Sequence, residues 1–162
     1  VINAAKSLKY NSLITVLIGI EKSKINDFSW LYIPDKEILT HRVSFPSNYS
    51  QYVAPKGKSS VLAEITCNFG DNLWKMKEER ITERTISDLH ELKIINEEDV
   101  CFRKMKRIKY AYVINDLDCS RNLAEVMGYL RKVGIDLVGR FAEFKYLNMD
   151  GCIRNATNYV LE

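Results

Sequence analysis

Leu13-Ile14-Thr15-Val16-Leu17-Ile18-Gly19-Ile20 is the longest apolar run in the chain. Its length and its β-branched residues are those of a buried strand rather than a helix. It also falls far short of the ~20 apolar residues needed to span a bilayer. Outward from this strand, Ile2, Ala5 and Leu8 stand at helical spacing before it. The polar stretch 22–27 follows it as a loop.

Three further strands are expected. The first, 28–33, is closed by the turn signal Pro34-Asp35. The second, 39–45, stops at Pro46-Ser47-Asn48. The third, 60–67, follows a loop that holds Pro55 and Gly57. Strands that succeed one another through turns, with no helix between them, pair antiparallel. Helical patterns then take over. Asp71 or Asn72 can cap a helix over 73–79, and a second helix over 82–92 puts Ile86, Leu89 and Leu92 on one face. Residues 100–114 return to rough alternation. The spacing of Leu123, Val126, Met127 and Leu130 predicts a helix over 120–133, with Gly134 as its stop. Residues 135–138 are expected to form a short apolar strand. Strands first and helices afterwards make the fold class α+β: an antiparallel or mixed sheet of about five or six strands with flanking helices.

The 162 residues suffice for one domain with a real core, or for one domain and part of another. A net charge of +3 argues neither for nor against a polyanionic partner. No secretory leader pattern is visible, and the expected compartment is the cytoplasm. Cys67, Cys101, Cys119 and Cys152 are scattered, without a CxxC pair or a neighbouring histidine pair. That spacing argues against zinc, so no metal site is expected and the cysteines read as buried free thiols. The chain opens at Val1 without methionine, in what already reads as a helix, and is expected to be a portion of something longer.

Several residues are candidates for chemistry. Residues 139–150, Gly-Arg-Phe-Ala-Glu-Phe-Lys-Tyr-Leu-Asn-Met-Asp, read as a Gly-Arg turn, an aromatic segment and a helix start. Asn148 and Asp150 favour the N-cap or first turn of a helix carrying Ile153, Ala156, Tyr159 and Val160. A helix N-terminus with an arginine fork upstream suits an anionic group, such as a phosphate or the negative edge of a reduced flavin. The same residues also read as an ordinary strand–turn–helix with a surface arginine. Arg42, at the end of a strand, is a candidate for a ligand phosphate. Glu64, inside Val61-Leu62-Ala63-Glu64-Ile65, needs a partner if buried, but strand alternation would more commonly leave it in water. The stripe 103–109, with Tyr110 and Tyr112, reads either as a nucleic-acid face or as a solvated edge whose charge discourages aggregation; acidic flanks favour the second, so nucleic acid is not the expected partner. His41 and His90 are far apart in sequence and do not suggest a catalytic pair, and His90 is expected to face solvent. There is no P-loop, no Ser-His-Asp pattern and no GxGxxG.

Taken in order, His41-Arg42-Val43, Pro46-Ser47-Asn48, Ala63-Glu64-Ile65, Asp88-Leu89-His90-Glu91-Leu92, Tyr110-Ala111-Tyr112, the helix around Leu123–Leu130 and the string 139–150 resemble one family. The chain is similar to the C-terminal part of FAD-dependent oxidoreductases of the UDP-galactopyranose mutase, protoporphyrinogen oxidase and amine oxidase superfamily. The mutase-like branch has a similar Gly-Arg … Tyr-Leu-(Asp/Asn)-Met-Asp string. The likeness runs over nearly the whole chain, and only the last motif is specific.

The resemblance implies a substrate-binding region over 1–117 and a C-terminal segment over 118–162 that returns to an FAD-binding domain. It implies a Rossmann-type, N-terminal FAD-binding half as a partner, which this chain lacks; alone it is expected to hold FAD weakly or not at all and to have no turnover. Gly139, Arg140, Asn148, Met149 and Asp150 would bind the cofactor. Arg42 and Tyr146 would contact a small-molecule substrate, for which a phosphorylated one is a candidate. The catalytic residues are left open, and so is the choice between oxidase and mutase chemistry. Ala142 stands where the family commonly has a second glycine, and Asn148 replaces the aspartate usual in mutases, which argues against the strict mutase reaction. The competing class is a non-catalytic binding module that uses the basic strand face.

Overall fold

In the computed structural model, which describes residues 1–161, the central apolar run lies in strand β1 (Lys9–Ile20). Period-two alternation turns Ile14, Val16, Ile18 and Ile20 into the core, where all four are fully buried, and leaves Thr15, Leu17 and Gly19 half-buried on the opposite face. Burying each such side chain stabilises the fold by about 1.5–3 kcal/mol.

The sheet has five strands in the order β2-β3-β4-β1-β5, with β2 at Trp30–Tyr32, β3 at Arg42–Ser44, β4 at Ser59–Cys67 and β5 at Val100–Ile114. Antiparallel register sets Ile18 beside Val61, Val16 beside Ala63 and Ile14 beside Ile65. Val43 of β3 lies beside Ala63, and Leu31 of β2 beside Val43. The expected α+β class and antiparallel sheet are those observed. Strands expected over 28–33 and 39–45 shorten to three residues each.

Contacts divide the chain into two compact units, 12–109 and the pairing of 1–11 with 110–162. In the first, helix α2 (Asn72–Lys75) begins at Asp71, whose carboxylate accepts the Trp74 N–H at 2.7 Å. Backbone N–H groups of Trp74 and Asn68 hold that carboxyl below its ordinary value. The longer helix α3 (Glu78–Glu91) lays Ile81, Ile86 and Leu89 into the same core as β1. Asp88 is buried on α3, where it accepts from the Leu39 N–H (2.9 Å) and from Arg84 Nε (2.5 Å). It ties the 35–39 turn to the helix.

In the second unit, helix α1 (Ile2–Ser7) packs on α4 (Cys119–Lys132), and α5 (Met149–Leu161) closes the chain. Gly134 ends α4 with φ +76°, the left-handed turn that glycine takes without strain. The strand expected over 135–138 is not formed. The Ile135 N–H instead closes back on Leu130 O at 2.9 Å, and Asp136 accepts the Tyr159 hydroxyl at 2.9 Å. The segment is tied to helices on both sides, and among the described residues its backbone has no sheet neighbour. Among the described residues no helix is long and apolar enough to cross a membrane.

The expectation that the thiols are buried holds for Cys67 and Cys119 but not for Cys101, which is exposed, or Cys152, which is half-buried. Burial pushes the Cys67 thiol up to about 11.

Gly19 is the close-approach point between β1 and β5. A Cβ there would sit 2.9 Å from the Phe102 Cβ, closer than such atoms approach. Gly19→Ala should destabilise the protein by about 1–3 kcal/mol through overpacking. Urea unfolding checks this, and an unchanged midpoint would show that β5 yields freely.

Candidate functional site

Residues 139–148 form a strap, described within the unit that holds 1–11 and 110–162. Gly139 opens it with φ +96°, and the chain coils tightly as Glu143 N–H bonds Gly139 O (2.9 Å) and Lys145 N–H bonds Arg140 O (3.0 Å). Phe144 takes φ +52°, a strained value for an aromatic residue. Glu143 holds this coil shut. Its carboxylate accepts the Gly139 N–H (3.0 Å), the Asn155 amide (2.7 Å) and the Lys145 ammonium (2.9 Å). Lys145, then Asn155 and the Gly139 amide, bring the carboxyl down to about 2.

The coil presents Arg140 to aromatic faces. The guanidinium lies 4.4 Å from the Tyr146 ring centre, 5.1 Å from Tyr112 and 5.9 Å from Phe141. Tyr112 and Tyr146 stack at 5.9 Å with 20° between their planes. Arg140 Nη1 donates to Leu147 O at 3.0 Å, two residues before α5 begins. Asn148 O then accepts the Cys152 N–H at 3.0 Å and begins α5, as its N-cap preference suggests. Met149 at this start is 85% exposed. Beside the strap, Tyr10, Tyr110, Tyr112, Phe141 and Phe144 line a mainly apolar cavity of about 330 Å³.

The structure thus gathers Gly139, Arg140, Tyr146, Asn148, Met149 and Asp150 into one short stretch of surface. A cation, aromatic faces and the open N–H groups of a helix start suit a planar group with an anionic edge. Asp150 carries the opposite charge at the same turn and suits a donor on such a group; its nearest cation, Arg154, is 3.9 Å away. Glu143, Tyr112 and Tyr10 are the participants that sequence reasoning did not single out for this site. The Gly-x-x-x-Glu spacing at Gly139 was the available signal for Glu143.

Arg42 belongs to the other unit and is engaged differently. Register places it beside Glu64, and the guanidinium grips the carboxylate in a fork, Nε–Oε1 at 3.0 Å, Nη2–Oε1 at 2.6 Å and Nη2–Oε2 at 2.7 Å. The expectation that Glu64 stands in water is overturned: the residue is 5% exposed. It is buried because β4 has strands on both sides, and its charge is met by Arg42 as burial requires.

The basic stripe is also partly committed. Arg107 donates to the Trp74 carbonyl at 2.9 Å and to that of Met76, capping the C-terminal end of α2, and Lys109 lies 4.2 Å over the Phe69 ring. His41 approaches Thr66 Oγ1 at 3.2 Å, and burial lowers its imidazole below the ordinary value. His90 is exposed, as expected, and approaches Ile95 O at 3.3 Å. Among the described residues no group of three or more His, Cys, Asp or Glu is placed to hold a metal ion.

No protein-family model matches the sequence, and no curated protein matches it. Solved structures do. Reduced UDP-galactopyranose mutase superposes over 98% of this chain with a TM-score of 0.84 at 23% identity. A protein of Exiguobacterium sp. 255-15, provisionally named a protoporphyrinogen oxidase, superposes over 96% with a TM-score of 0.73 at 12% identity. The chain has the fold of the matching part of both. It spans 35% of the length of each.

Two outcomes follow from this geometry. Arg42→Ala should destabilise the fold by about 3 kcal/mol, because Glu64 then keeps a buried charge without a partner. The double change with Glu64→Gln should recover most of that loss, as read by chemical unfolding; a double variant no better than the single would deny the coupling. The Glu143 carboxyl is lower folded than unfolded, so its contribution is complete above about pH 5 and is lost as pH falls through about 2. Amide exchange at Gly139, compared with Glu143→Gln over that range, should show the native strap loosening while the variant changes little.

Proposed function

We propose that the chain supplies the substrate-facing sheet and the flavin-edge strap of an FAD-dependent enzyme, related to UDP-galactopyranose mutase and the protoporphyrinogen and amine oxidases. One observation carries the reading. Within a fold shared with reduced UDP-galactopyranose mutase, the strap brings Arg140, its aromatic faces and the start of α5 together. In this reading Gly139, Arg140 and the first-turn N–H groups at Asn148 and Met149 hold the electron-rich edge of the flavin, where a helix N-terminus stabilises negative charge. Asp150 accepts from a ring N–H. Tyr146, stacked on Tyr112, faces substrate. A bound flavin supplies two-electron redox chemistry or, in a mutase, a nucleophilic nitrogen.

Arg42 keeps a narrower part. Its guanidinium is already engaged by the buried Glu64 carboxylate, so any contact with a ligand anion comes second to that pairing. The substrate class favoured by Arg140 beside Tyr146 is a phosphorylated small molecule. Asn148, where a mutase has aspartate, inclines the reading toward oxidation. Diphosphate binding falls to a Rossmann-type FAD-binding half as partner, and the placement is cytoplasmic.

Mixing the chain with the FAD-binding half of a UDP-galactopyranose mutase and FAD tests this. Flavin absorbance should co-purify with the complex. Arg140→Ala should weaken FAD retention roughly tenfold to a hundredfold, the value of a charged hydrogen bond. Retention indifferent to Arg140, or none with the native chain, would remove the proposal.

A further inference from the structure

The sheet ends on one side at β5, a strand of 15 residues. Among the described residues no strand pairs with its outer edge. A strand edge of this length is a template for another extended segment, and proteins commonly blunt such edges with lysine. Here the charge has two consequences. Arg103, Lys104 and Lys106 are exposed and make no ion pair among the described residues, whereas Arg107 and Lys109 are turned to α2 and to Phe69. A second copy of β5 laid along this edge would set cations against cations, which opposes pairing. An acidic segment would meet complementary charge at the same positions.

A second feature lies beside the strand. A cavity of about 760 Å³ opens between α3 and the first residues of β5, lined by Glu83, Ile86, Ser87, Glu97, Val100 and Arg103. Ile86 and Val100 give part of its lining an apolar character. A side chain from an added strand could be received there, as alternate residues of a strand point to one face. On the strand itself, Phe102 is half-exposed and offers an aromatic contact.

We infer that the outer edge of β5, over residues 100–108, receives an acidic extended segment of a partner protein by strand addition. Main-chain pairing supplies affinity, Arg103, Lys104 and Lys106 select acidic side chains, and the cavity under α3 selects an apolar one. The segment would be roughly nine residues long and span about 30 Å. This inference is independent of the flavin reading, since it involves neither the strap nor Arg42.

The probe is a fluorescent peptide of roughly nine residues that alternates glutamate and valine, with a lysine–valine peptide as its counterpart. Anisotropy should show saturable binding of the acidic peptide to the 162-residue chain, weakened about tenfold between about 0.05 M and 0.5 M salt. Lys104→Glu combined with Lys106→Glu should abolish that binding and create binding of the lysine peptide. Bound peptide should slow amide exchange within 100–108. The inference is overturned by no binding at about 1 mM peptide, a weaker limit than specific recognition sets; by equal binding by the reversed variant; by protection elsewhere in the chain; or by dimers of the free chain that pair through β5. Tighter binding of a single-stranded oligonucleotide with the same charge dependence would give the stripe to nucleic acid instead, and would equally overturn it.

Discussion

Everything else in the sheet depends on the pairing of β1 with β4 through a row of apolar side chains. Ile14, Val16 and Ile18 stand beside Ile65, Ala63 and Val61, and α3 closes over them. Because side chains alternate with a period of two, a slip of one residue would turn the whole row into the opposite face. The register is therefore strongly determined. It is this register that sets Thr15 beside Glu64, and in turn Glu64 beside Arg42 on β3. A charged pair on one face of the sheet is thus held in place by the packing of the other.

That dependence has a chemical consequence. Arg42 looked, as a residue at a strand end, like a hand held out to a ligand phosphate. In the folded chain it first neutralises a carboxylate that three strands have taken out of water. A buried carboxylate without its partner would be expensive, whereas the fork satisfies it with paired bonds. The same economy recurs at Arg107, which serves the exposed carbonyls at the end of α2. Two of the cations that invite a functional reading are in this sense occupied with the fold.

Arg140 is arranged otherwise. Glu143 binds the backbone on which Arg140 sits and the helix that follows, so the arginine emerges from a coil closed at both ends. Its own bond to Leu147 O fixes it just ahead of α5, and Tyr112 arrives from β5 to cover it. The left-handed Phe144 is the conformational cost of so tight a coil. Strain of that kind persists where surrounding contacts over-determine it, as the three donors to Glu143 do here.

The strands at 12–20 and 60–67, the helices around 82–92 and 120–133, and the stop at Gly134 were all legible in the residues, because periodicity and turn chemistry are local properties. The strap was legible as a turn followed by a helix start, since Gly139 and Asn148 carry that information in their own conformational preferences. What was not legible depended on neighbours distant in sequence. Residues 135–138 have the composition of a strand but no strand beside them, so hydrogen bonding to α4 and α5 decided their form. Glu64 has the alternation of a solvent-facing residue, and only its place between β3 and β1 buried it. Local sequence determined most of the strands, helices and turns; tertiary structure decided the form of 135–138 and which charges would be set against one another, because burial and pairing belong to contacts between segments and not to any one of them.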